Sequence, residues 1–278
     1  MSNQENALAT LEEMGLFAKG GTFNKGMSLT ATARGGDVRH VSIRGAVFNF
    51  SETDTPTEER VLIIDAVRSN NWYSSEYESS NTSAPDCFSL QDIRAGVKEA
   101  DMVPHAESAD KQRPACLDCP QNAWGSGKGN SKACKNYVRV AFLRGPVETP
   151  ADAKKQVFVV QLPPTALKAW TSLCDDFEAH EAPAFFTCHA DLSIASLPSG
   201  GYTVEVARVV AEDEGPVTDP EVLVAVAQRH EKTVNAMLLP PPQREKDQPK
   251  LAKRGTPTKK KKVSKKAGAK KKVTRRKV

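Results

Sequence analysis

The sequence predicts a mainly β protein with a few helices, of the α+β class. Three observations carry that expectation. Six short apolar stretches have strand character and are separated by turns rich in Gly and Pro. Only two longer segments space their apolar residues like a packed helix. A polar segment with four cysteines interrupts the strands, and a Lys-rich end follows the second helix.

Residues 1–36 read as an N-terminal extension with one short helix candidate, Ala7 to Met14, followed by Gly-rich sequence. Val38 to Phe50 alternates. Val41, Ile43 and Val47 fall on one side and His40, Ser42 and Arg44 on the other, the mark of a half-buried strand. Arg60 to Arg68 holds the run Val61-Leu62-Ile63-Ile64, which predicts a more deeply buried strand. Ser69 to Ala84 is polar and reads as a loop carrying Trp72, Tyr73 and Tyr77. Residues 86–136 form the cysteine-bearing insertion.

Strands resume at Tyr137 to Leu143 and Gln156 to Leu162. Pro163-Pro164 then opens a helix with apolar positions at Leu167, Trp170, Leu173, Cys174 and Phe177. Ala184 to Ile194 and Tyr202 to Val210 read as two strands joined by a hairpin loop at residues 198–201. Asp219 caps and Pro220 starts a last helix, which Pro240-Pro241-Pro242 stops. Short strands, one internal helix and a long insertion fit an OB-like β-barrel or sandwich. The expected organisation is that domain over residues 37–215, a C-terminal helix in 216–242 and a disordered basic tail over 243–278. The tail's composition cannot bury enough apolar surface to fold.

The net charge of +5 hides a division. From Arg244 to Val278 there are 17 Lys or Arg against two acidic residues, or +15, leaving 22 basic and 32 acidic residues elsewhere, or −10. An acidic body therefore carries a cationic end, which points to a polyanionic partner. Met1 to Thr10 is polar rather than a signal segment, and no stretch approaches the roughly 20 apolar residues of a membrane span. A soluble, intracellular, reducing setting without a membrane partner is the expectation. There, six cysteines serve as ligands or core thiols rather than disulfides.

Cys116 and Cys119 form a C-x2-C knuckle; fourteen residues separate Cys119 from Cys134, and twenty-eight separate Cys87 from Cys116. All four stand in polar sequence where a core has little to offer. A knuckle lets two thiolates grip one ion from a tight turn, and two more thiolates complete the tetrahedral shell of Zn²⁺. Four thiolates leave no open position for water, so the expected Zn²⁺ is structural. Cys174 and Cys188 lie on a helix stripe and in a strand, and read as core.

Lys111 and Arg113 precede the knuckle. Lys128, Lys132, Lys135 and Arg139 lie in and beyond a Gly-rich loop, where backbone can approach phosphates closely and cations neutralise them. This is not a nucleotide P-loop: Gly129 follows Lys128 in place of Ser or Thr. Trp72, Tyr73, Tyr77 and Trp124 are candidates to stack on bases, whereas Trp170 on the helix stripe reads as core. Lys259, Lys260, Lys261 and Lys262 begin a tail suited to sequence-independent phosphate attraction, and also match a nuclear-import pattern. Nothing reads as catalytic: there is no nucleophile–base pair and no two-metal carboxylate cluster.

The run from Cys116 to Ser126, closing with Ala133-Cys134-Lys135, resembles a motif of tailed-phage proteins: C-x2-C-P-x-N-x-[WF]-G-S, a Gly/Lys loop and A-C-K. Pro85-Asp86-Cys87-Phe88 and Leu162 to Lys168 match further blocks, so the resemblance spans about residues 40 to 210. Members assigned a role are phage single-stranded DNA-binding proteins. The design is similar to the zinc-containing helix-destabilising proteins of T-even phages, an OB-fold with a metal-bearing insertion. The resemblance implies Cys87, Cys116, Cys119 and Cys134 as metal ligands and Lys128, Lys132 and Lys135 as basic loop positions. The chain departs at its end, where many single-strand binders are acidic and this one is +15.

The resulting expectation is a non-catalytic, sequence-independent single-stranded DNA-binding protein of phage replication or recombination. It would act in the host cytoplasm or nucleoid, with replication or recombination proteins as further partners. Two alternatives stay open. One is a protein that binds or compacts double-stranded DNA, or binds RNA, through the tail. The other is a virion or assembly protein with a structural zinc insertion.

Overall fold

The computed structural model describes residues 38–74, 84–92, 101–179, 184–198, 200–210 and 215–239. The N-terminal extension with its helix candidate, Tyr77, and the tail with Lys259 to Lys262 lie outside the described residues.

The protein is mainly β with two α-helices. Its strands are β1 (Val38–Arg44), β2 (Val47–Asn49), β3 (Glu58–Trp72), β4 (Cys87–Asp92), β5 (Lys135–Arg144), β6 (Val157–Leu162), β7 (Ala190–Ser196) and β8 (Tyr202–Arg208). The helices are α1 (Leu167–Ala179) and α2 (Pro220–Met237). One sheet runs in the order β2-β1-β6-β5-β3-β7-β8, with β4 paired to the far half of β3. All pairings are antiparallel except β1 with β6.

The sheet curls into a half-barrel. The Tyr202 hydroxyl on β8 donates to the Ile43 carbonyl on β1 at 3.1 Å, although the two strands stand near opposite ends of the strand order. The concave side holds Phe48, Val61, Ile63, Phe142, Val160 and Leu192 under the Trp170, Leu173 and Phe177 stripe of α1. Trp170 is thus a core residue, as its helical spacing predicts. Cys188 is core too, although it does not lie in a strand as expected: Phe185–Thr187 is a 3-10 turn, β7 starts only at Ala190, and Cys188 forms an isolated bridge with Pro216. The convex side packs Leu62, Ile64, Val67, Ala141 and Val159 against Val222, Val226 and Val234 of α2. Asp219 caps α2 by accepting from the Glu221 amide at 2.8 Å, with Pro220 behind it.

Three expectations need correction. Val38 to Phe50 is a hairpin rather than one strand, because Gly45 and Ala46 both take positive φ (65° and 59°) and bring Arg44 opposite Val47. Ser69 to Trp72 is not loop but the end of β3, which continues because β4 pairs along one side of it and β5 along the other. Its polar residues Ser69, Asn70 and Asn71 are buried. The insertion is not coreless either: β4 joins the sheet, Met102 is buried, and Phe88 stacks on His105 at 4.9 Å. Tertiary pairing overrides local polarity in both segments.

Candidate metal centre and nucleic-acid interface

Four separate chain positions bring thiols to one place. Cys87 opens β4 opposite Trp72, and Cys134 immediately precedes Lys135, which faces Asn71 from β5. The two cysteines therefore flank the end of β3. The knuckle comes from the insertion, where the Cys116 amide donates to the Met102 carbonyl at 2.8 Å. Cys119 then leads into a 3-10 turn, Pro120–Asn122, whose proline needs no amide partner. The Cys134 amide donates to the Gln121 carbonyl at 2.7 Å and ties β5 to that turn.

All four cysteines line a single cavity of about 10 Å³, together with Asn70, Trp72 and Ser89. That is room for about one water-sized sphere. Among the described residues, no three or more His, Cys, Asp or Glu side chains already stand as a cage able to hold a metal. The thiols face one void without forming a closed shell around it. Their electrostatics nevertheless mark them as one group. The Cys134 thiol is pushed up to about 12, first by burial and then by the neighbouring Cys116, Cys119 and Cys87, while Lys132 pulls it down. Burial also raises Cys116, against hydrogen bonds from Ser89 and Asn70.

Ser89 gives the fit test for a cation at this place. Ser89 lies opposite Asn70 in the β3–β4 ladder, so both side chains share a face with Trp72 and Cys87. The Ser89 hydroxyl is buried and, among the described residues, has no nitrogen or oxygen partner. Its neighbour is the Cys116 sulfur, a weak acceptor as a thiol and a strong one as a thiolate. A buried donor without an ordinary acceptor is costly, and a metal-bound thiolate relieves it. The donor set thus suits a soft or borderline cation such as Zn²⁺.

The candidate nucleic-acid contacts divide. Trp124 is 73 % exposed, with the Lys132 ammonium 5.6 Å from its ring centroid. Tyr73 is 42 % exposed, and Lys111, Arg113 and Lys128 are exposed. Lys132 and Lys135 are half-buried, bonded to Asn122 Oδ1 at 3.2 Å and Ser131 Oγ at 3.1 Å. Trp72 is half-buried and lines the thiol cavity. Arg113 also lines that cavity.

Two expectations fail. Arg139 is 3 % exposed, and its guanidinium donates to the Met237 and Leu239 carbonyls at 2.9 and 3.2 Å. It closes the C-terminus of α2, and burial lowers it to about 10. A phosphate cannot reach it there. The Gly-rich loop is likewise no open cradle: the Gly125 and Gly127 amides both donate to the Ser131 carbonyl, at 3.1 and 2.8 Å. A Cβ on Gly127 would fall 2.8 Å from Ser131 Oγ and 2.9 Å from Lys132 backbone. Glycine here permits a tight fold of the loop on itself.

Sequence reasoning missed Asn70, Ser89, Asn122 and Tyr137. Asn70 and Ser89 are ordinary polar residues of β3 and β4 that nothing local marks, whereas Asn122 is the asparagine of the C-x2-C-P-x-N motif, and only the structure shows what it holds. Tyr137 carries a readable signal, three residues after Cys134. Its phenol is pushed up to about 12 by burial, then by Tyr73 and Cys134, so Tyr137 stands within reach of both.

Comparison with family models, curated proteins and solved structures finds no match to this chain. Among the described residues no helix is long and apolar enough to cross a membrane.

Proposed function

We propose that this protein binds single-stranded DNA without sequence preference and without catalysis, in phage replication or recombination. One observation carries the reading: cysteines from β4, the insertion and the residue before β5 line one void with room for about one water-sized sphere, and Asn122 of the same lining holds Lys132, whose ammonium lies over the exposed Trp124 ring. In this reading Cys87, Cys116, Cys119 and Cys134 hold a structural Zn²⁺, which supplies cross-linking of the insertion to the sheet. Trp124 and Tyr73 stack on bases, and Lys111, Lys128 and Lys132 neutralise phosphates. The half-barrel serves the role of an OB-like platform.

The +15 segment after residue 243 favours a second reading, in which the tail carries most of the affinity and the partner is double-stranded DNA or RNA. The deciding experiment is a salt-titrated binding assay on full-length protein and residues 1–242 with single- and double-stranded oligonucleotides. Retained single-strand preference in residues 1–242 supports the first reading. Loss of all binding by that fragment at low salt transfers the function to the tail.

A further inference from the structure

We propose that Asn122 is a positioning residue that carries the state of the thiol knuckle to Lys132 and Trp124, so that metal occupancy sets nucleic-acid affinity. This rests on the DNA- and zinc-binding reading above. Asn122 is buried, and its groups reach in two directions. Toward the knuckle, its amide N–H donates to the Cys119 carbonyl at 2.9 Å and its Nδ2 donates to the Cys116 carbonyl at 3.1 Å. Toward the surface, its Oδ1 accepts from Lys132 Nζ at 3.2 Å. The same Oδ1 accepts from Asn136 Nδ2 at 3.3 Å, and Asn136 Nδ2 also donates to Asn70 Oδ1 at 2.6 Å. Asn70 in turn lines the thiol cavity.

The orientation of this amide is not arbitrary. A lysine ammonium only donates and a carbonyl only accepts, so Oδ1 must face Lys132 and Nδ2 must face Cys116. Because the amide is planar, a shift of the Cys116 carbonyl turns both ends together. The Lys132 ammonium lies over the Trp124 ring in this structure, and an ion held by the knuckle would fix it there through the Asn122 amide. A free lysine loses rotamer freedom when it is fixed. Lys132 is held before the ligand arrives, which favours binding through preorganisation.

The test compares wild type, Asn122→Ala, Lys132→Ala and the double variant, with zinc content and thermal unfolding recorded for each. Affinity is measured with an oligothymidylate. Asn122→Ala and Lys132→Ala should each weaken binding about 5- to 10-fold, and the double variant should match Lys132→Ala alone. Full additivity would mean Asn122 does not act through Lys132, and a wild-type affinity for Asn122→Ala would end the proposal. A second readout needs no DNA: the indole N–H resonance of Trp124, assigned with Trp124→Phe. Chelating zinc should shift it in wild type and leave it still in Asn122→Ala. Equal shifts in both overturn the coupling, and a zinc-free wild type overturns it together with the metal reading. A zinc-dependent indole shift in a protein that binds no DNA supports the coupling and sinks only the DNA reading.

Discussion

Asp65 of β3 and His230 of α2 hydrogen-bond inside the protein, where they are 1 % and 4 % exposed. The contact depends on one extra residue. Ile63 pairs with Phe142 and Asp65 with Ala141, so Ile64 is unpaired and a β-bulge falls between them. Without the bulge Asp65 would point into the concave core with Ile63. With it, Asp65 faces α2 and pins the helix to the sheet. Asp65 Oδ1 also accepts from the Ala66 amide at 2.6 Å.

Truncating that pair should be costly. Removing one partner of a buried pair leaves the other without its counterpart, at about 3–5 kcal/mol. Asp65→Ala is therefore expected to lower the urea midpoint sharply, while Asp65→Asn, which keeps a hydrogen-bond acceptor, loses less. Equal losses for the two variants would show that the pair does not anchor α2.

The metal reading predicts about one Zn²⁺ per chain, lost in Cys119→Ser, by metal analysis. The pH dependence has a definite sign. Burial and mutual repulsion raise the Cys134 and Cys116 thiols in the metal-free protein, so ions compete with bound protons. Apparent zinc affinity should rise steadily with pH from about 6 to 9, with protons released on binding. A flat profile would exclude these thiols as ligands.

Ser89→Ala tests the hydroxyl beside Cys116. Among the described residues the hydroxyl has no other nitrogen or oxygen partner, and loss of a hydrogen bond to a ligand's sulfur typically costs about 10- to 100-fold in metal affinity. Faster zinc transfer to a chromophoric chelator is the expected result. Unchanged transfer would make Ser89 a bystander.

Trp124→Ala should weaken single-strand binding by about 1–3 kcal/mol, the usual value of one stacked base, with no loss of thermal stability, because the ring is mostly solvent-exposed. Trp72→Ala should behave differently. Its ring lines the thiol cavity, so zinc retention should fall with it. Anisotropy titrations beside metal analysis separate the two roles, and identical behaviour would refute the division.

Deleting residues 243–278 should flatten the slope of log affinity against log salt more than it alters the ratio of single- to double-strand binding. A polycation gains affinity by counterion release, whereas stacking does not depend on condensed ions. An unchanged slope would mean that the tail does not contact DNA.

Much of this protein is legible in its sequence because the relevant signals are local. The α1 stripe of Leu167, Trp170, Leu173 and Phe177 follows from helical spacing. The Asp219-Pro220 start of α2 follows from capping chemistry, and the hairpin between β7 and β8 from Gly200 and Gly201, both with positive φ. The cysteine spacing singles out four thiols, and the structure gathers those four around one void. Tertiary structure alone decided the rest. Polar Ser69 to Asn71 became buried strand because β4 and β5 satisfy the backbone of β3 from both sides. Arg139, a basic residue among basic residues in the sequence, was drawn inward by two carbonyls nearly a hundred positions away at the end of α2. Local pattern reports what a segment prefers by itself. Which hydrogen-bond partners reach it depends on how the sheet curls, and no local stretch of sequence carries that information.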